Sequence, residues 1–153
     1  MPSRPRVLIA GTEIAIATCE RLIGDAAEVV EARSLGEALE RIDPTVTLII
    51  SSVRFDESRM FDFLNALEAR RDRCRAAVIC CRIVREPLSN ALYGAIETAA
   101  RALGVQAFFD LDTEVRNHGQ EAAERKLAEL IFAHLETPFL AGGNPVFQGF
   151  RGT

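Results

Sequence analysis

Five short apolar segments, each followed by a longer amphipathic one, constrain this chain more than any other feature. Arg6 to Gly11 (RVLIAG) ends at a glycine and reads as a buried strand. Thr12 to about Gly24 reads as a helix, with Ile14, Thr18 and Leu22 spaced by four and a glycine at its end. Glu28 to Ala32 (EVVEA) reads as an edge-like second strand. Ser34 then opens a helix with Glu37 three residues on, a capping box in which serine accepts from a free backbone N–H and glutamate reaches back. Leu35, Ala38, Leu39 and Ile42 form its apolar stripe, and Pro44 forbids continuation.

Thr45 to Ser52 (TVTLIISS) is β-branched and apolar, the pattern of a central strand. Ser58 is a candidate cap for the next helix, whose Phe61, Leu64 and Leu67 are expected to face the core. A charged connection from Arg70 to Arg75 leads to the fourth strand, Ala76 to Cys81. A helix is expected from Pro87 to Leu103, with Gly104 as its stop, then a fifth strand from Val105 to Phe109. A polar loop precedes a last helix from Gln120 to Glu136, apolar at Ala123, Leu127, Leu130, Ile131 and Leu135. Residues 1–136 thus make one α/β domain, and residues 137–153, with four glycines, two prolines and three phenylalanines, read as an irregular tail.

Strands alternating with helices imply a parallel sheet covered on both faces. Right-handed crossovers leave few topologies, and the commonest for five βα units is strand order 2-1-3-4-5, the flavodoxin-like arrangement. Binding sites in such sheets form at the carboxyl ends of the strands. The residues expected there are Gly11, Thr12 and Glu13; Ser51, Ser52, Val53 and Arg54; Cys81 and Arg82; and Asp110, Leu111 and Asp112.

Phosphate-loop patterns are missing from that edge. The run after the first strand is GTEIAI, with one glycine rather than GxGxxG, and no GxxxxGK[ST] occurs. Ser52 has no GxSxG elbow, and the two histidines, His118 and His134, fall in the last loop and helix, so Ser52 reads as a strand end rather than a nucleophile. Adjacent Cys80 and Cys81 point to opposite faces and read as buried structural cysteines, one under each helical layer. No catalytic constellation, cofactor or metal site is read, so an enzyme is not expected.

The runs VLIAGTEIA, LIISSVRFDESRMFDFLNAL, AAVICCR and GVQAFFDLD, with the capped second helix, resemble the receiver domains of two-component response regulators over about residues 6 to 136. The resemblance implies a (βα)5 receiver-like fold. It also implies a defined chemistry: acidic residues after the first strand and an aspartate ending the third hold Mg²⁺, that aspartate takes the phosphoryl group, and a Thr or Ser after the fourth strand and a Lys after the fifth contact it. In this chain the acidic pair falls on Gly11 and Thr12, with Glu13 one place further. The phosphoacceptor falls on Ser52, the Thr/Ser on Cys81 and the lysine on Leu111. Seventeen arginines accompany a single lysine, Lys126, in the last helix, so no realignment restores the lysine after the fifth strand. Mg²⁺ wants carboxylates where Thr12 and Ser52 offer hydroxyls. Phosphorylation of the usual kind is therefore not expected.

What remains is a non-phosphorylatable pseudo-receiver acting by protein contact in bacterial signalling. Phe108 falls where many receivers carry a switching aromatic, and Tyr93 lies on the fourth predicted helix. The face made by that helix, the fifth strand and the last helix is a candidate surface for a protein partner or a homodimer. The alternative is a small flavodoxin-like domain binding an anionic metabolite or nucleotide, with Arg54, Arg82 and Arg85 as candidate anion ligands. Against that stands the simpler reading of solvent-facing loop arginines paired with Glu13, Asp56 or Glu86. A net charge of −4 gives no reason to expect nucleic acid. With no apolar run of membrane-spanning length and no signal-like segment at the start, no membrane association is expected and the cytoplasm is the expected compartment.

Overall fold

The computed structural model describes residues 4–83 and 90–135, with Ser58 and Asn90 described by backbone alone. Five strands, β1 (Arg6–Ala10), β2 (Glu28–Ala32), β3 (Val46–Ser52), β4 (Ala77–Arg82) and β5 (Ala107–Asp110), form one parallel sheet in the order β2-β1-β3-β4-β5. Around it lie α1 (Glu13–Ile23), α2 (Leu35–Arg41), α3 (Met60–Glu68), α4 (Asn90–Ala102), α5 (Leu111–His118) and α6 (Gln120–His134). The flavodoxin-like topology expected from the alternation is the one observed.

The period-2 alternation of β3 and β4 divides the core in two. Leu8, Ala10, Ile49, Val78 and Cys80 face the layer that contains α2, α3 and α4. Val7, Ile9, Leu48, Ile50, Ile79 and Cys81 face the layer of α1, α5 and α6. Cys80 and Cys81 therefore lie on opposite faces, each under helices. Burial pushes the Cys19 and Cys80 thiols up to about 12 and drives Cys81 upward as well. All four cysteines are free and buried, so a thiol reagent at mildly alkaline pH should label none of them quickly in the folded protein. All four should react at once in denaturant. Rapid stoichiometric labelling of the native state would contradict this packing.

Side-chain caps explain the starts of α1, α2 and α5. The Thr12 hydroxyl accepts from the Ala15 N–H at the head of α1. Ser34 accepts from the Glu37 N–H, and the Glu37 carboxylate accepts from the Arg33 N–H at 2.8 Å, so the capping box reaches one residue further back than the usual form. Three expectations are corrected. Helix α3 begins at Met60 with Arg59 at the cap position, not Ser58. Its deepest residues are Met60, Phe63, Leu64 and Leu67, while Phe61 is only half-buried. The expected polar loop after β5 contains α5, capped by the Asp110 carboxylate and supported by Asp112–Arg116 and Glu114–His118 pairs at helical spacing. Gly119, at φ 91°, separates α5 from α6, and Lys126 reaches back to Glu114 at 3.3 Å, so the two helices fold against each other.

The segment Phe55–Ser58 is a tight turn rather than a helix. Asp56 and Glu57 both have positive φ, at 44° and 53°. The Asp56 carboxylate accepts from the Leu35 N–H at 2.8 Å, anchoring the turn to the head of α2, and the Phe55 side chain is fully buried. The expected tail, residues 137–153, lies outside the described residues.

Candidate functional site

The carboxyl edge of the sheet brings Gly11 and Ser52 together. A Cβ at Gly11 would lie 3.1 Å from the Cβ atoms of both Ser52 and Ala15, so β1 and β3 meet there without a side chain between them. Ser52 is buried, and its hydroxyl accepts from the Arg54 N–H at 3.2 Å. The strand ladder continues past it, with the Val53 N–H donating to Cys81 O at 3.0 Å. Cys81 is wholly buried in the α1 layer and presents no hydroxyl to this edge.

The other residues of that edge are committed elsewhere. Thr12 spends its hydroxyl on capping α1. Glu13 is exposed and paired with Arg33, whose guanidinium also meets Glu31 at 3.1 Å; that pairing holds the Glu13 carboxyl below its ordinary range. Asp56 caps α2. Leu111 is 3 % exposed, in the same apolar layer as Cys81. Lys126 is paired with Glu114. Among the described residues, no group of three or more His, Cys, Asp or Glu side chains is placed to hold a metal ion.

Arg82 departs most from expectation. It is the last residue of β4 and only 3 % exposed, not a solvent-facing loop arginine. Its Nη1 donates to Asp110 Oδ2 at 3.2 Å, and its guanidinium carbon lies 3.6 Å from the centroid of the Tyr93 ring. Tyr93, expected on an interaction face, is 6 % exposed and covers Arg82. Arg54 is exposed at the end of β3, and Arg85 lies outside the described residues. The three candidate anion ligands thus differ, and Arg82 is already engaged by a carboxylate and an aromatic face. Phe108 is half-buried against the α2–α4 layer and Phe109 against the other.

Asp110 is the residue whose part was missed. One oxygen accepts from the Thr113 N–H at 3.0 Å, and the other from the Thr113 hydroxyl at 2.8 Å and from Arg82. An aspartate three residues before a threonine, just past an apolar run, is an N-cap pattern that marks the start of α5 in the sequence.

No protein-family model matches the chain, and no curated protein matches it. Solved structures do. A response regulator receiver domain protein (CheY-like) from Methanospirillum hungatei superposes with a TM-score of 0.62 at 19% identity, covering 87% of this chain and 94% of that one. The phosphorylated cyanobacterial phytochrome response regulator superposes with a TM-score of 0.66 at 12% identity, covering 88% and 96%. A sensor protein from Polaromonas gives 0.61 at 18%, covering 86% and 96%. This chain has the receiver fold. Identities this low speak to the fold alone. In this chain α5 lies between β5 and the last helix, and Arg82 pairs with Asp110 at the same edge. Among the described residues, no helix is long and apolar enough to cross a membrane.

Proposed function

We propose that this chain is a receiver-type module of two-component signalling that acts by protein–protein contact without taking up a phosphoryl group. One observation carries the reading. The position after β5, where the resemblance calls for a lysine, is Leu111, packed into the apolar layer, and the chain's lysine is engaged with Glu114 on another helix. The rest of the edge agrees. Ser52 offers a buried hydroxyl in place of an aspartate, and Glu13 and Asp56 are bonded away from it. A phosphoryl group arriving there would meet neither the carboxylates that hold Mg²⁺ nor, at position 111, the lysine that the resemblance calls for.

Output then falls to the surface. The exposed side of α4, which carries Leu92 at 45 % exposure, and the neighbouring β5 edge are the proposed contact region, for a protein partner or a second copy. The test is incubation with Mg²⁺ and a small phosphodonor, followed by intact-mass measurement. The mass is expected to stay at that of the unmodified chain. A stoichiometric adduct, stable to acid and labile to base, would sink the reading.

A further inference from the structure

We propose that the connection between α3 and β4 is a preformed docking site for an acidic protein segment, with Arg73 and Arg75 as its contact arginines. It lies at the amino end of β4, at the opposite edge of the sheet from Ser52. The run from Arg70 to Arg75 (RRDRCR) holds four arginines against one aspartate, in a chain whose net charge is −4.

The arginines play different parts. Arg71 turns inward: its Nη1 donates to Ala76 O at 2.6 Å and to Cys74 O at 3.3 Å, and its Nε meets Glu68 at 3.4 Å. Cys74 is fully buried beneath the turn. The N–H groups of Arg73 and Cys74 both donate to Arg70 O, at 2.8 and 3.1 Å. The backbone is thus fixed before anything binds, which lowers the ordering cost of association. Arg73 and Arg75 are exposed and, among the described residues, form no ion pair. Elsewhere on the surface Arg6, Arg21, Arg33, Arg101, Arg116 and Arg125 each meet a carboxylate. With 22 acidic residues to 18 basic ones, carboxylates are not scarce in this chain. Two unpaired guanidinium groups on one braced turn therefore present their N–H forks to carboxylates from outside.

The turn's own charges favour a protein segment over a nucleic acid. Asp72 stands beside Arg73 in the chain and Glu68 precedes the turn, so a continuous phosphate strand would meet repulsion along with attraction. Residues 68–76 also contain no aromatic on which a base could stack. A peptide whose Asp or Glu residues are spaced by neutral ones can reach Arg73 and Arg75 while leaving Asp72 to solvent. This site is separate from the exposed side of α4, and it stands whether or not the domain takes up a phosphoryl group.

Fluorescence anisotropy on the full chain tests it, with a labelled peptide of alternating glutamate and serine. Binding is expected, and it should weaken as salt rises. The double variant Arg73→Ala, Arg75→Ala is expected to bind the peptide about 5-fold more weakly or worse. The double variant Arg116→Ala, Arg125→Ala makes the same change in net charge at two exposed arginines, and it is expected to bind like wild type. Three results would overturn the site: no binding by wild type, equal weakening in the two double variants, or tighter binding of a single-stranded oligonucleotide of the same charge.

Discussion

Replacing Asp110 with alanine is expected to lower the unfolding free energy by about 4 kcal/mol, measured by chemical denaturation. Removing one member of a buried ion pair typically costs about 3–5 kcal/mol. Asp110 is 28 % exposed, so the low end of that range applies. Loss of the α5 cap adds about 1 kcal/mol to the effect of the pair itself. Arg82→Met should cost clearly less. It removes the buried charge together with its need for a partner, keeps an unbranched apolar chain under Tyr93, and leaves Asp110 partly hydrated and still capping α5. Equal losses in the two variants would show that lost packing, rather than loss of the Asp110 carboxylate from beside Arg82, dominates at this edge.

The second large effect belongs to the core. Phe63 is fully buried and meets the Phe55 ring edge-on, with centroids 5.6 Å apart and the planes at 65°. Phe63→Ala is expected to cost about 3–5 kcal/mol, from lost transfer energy and the cavity left behind. Phe55 would also lose the neighbour that helps fix the strained turn at Asp56 and Glu57. Phe61→Ala, at a half-buried position, is expected to cost markedly less. Comparison of the two denaturation midpoints distinguishes the observed face of α3 from the face that spacing alone suggests. The reverse order would place Phe61, not Phe63, inside.

That contrast shows what a sequence of this kind makes legible. Strands β1, β3 and β4 are apolar runs bounded by polar residues, and their burial needs no knowledge of neighbours. The face of α3 is harder, because Met60, Phe61, Phe63 and Leu64 crowd one turn and only tertiary packing decides between the two phenylalanines. The helix α5 has one buried side chain, Leu111, so it carries almost no apolar signal; its caps and charge pairs are the legible part. Arg82 was unreadable for a different reason. A lone arginine at a strand end is ordinarily solvated, and its burial depends on Tyr93 and Asp110 arriving from two later elements. The Gly11–Ser52 juxtaposition was legible, because strand order and register follow from the alternation, whereas the commitments of Glu13 to Arg33 and Asp56 to α2 depend on side-chain geometry.

The close approach at Gly11 also bears on how such a domain could change over generations. Any side chain there must push Ala15 and Ser52 aside by a few tenths of an ångström, so an acidic residue enters at a cost before it has a metal to hold. An aspartate at position 52 would bury a carboxylate where a hydroxyl now sits, and a lysine at position 111 would bury its charge among apolar neighbours. Each step is unfavourable until the others are in place. In this packing, none of the three changes is expected to be favourable when made alone.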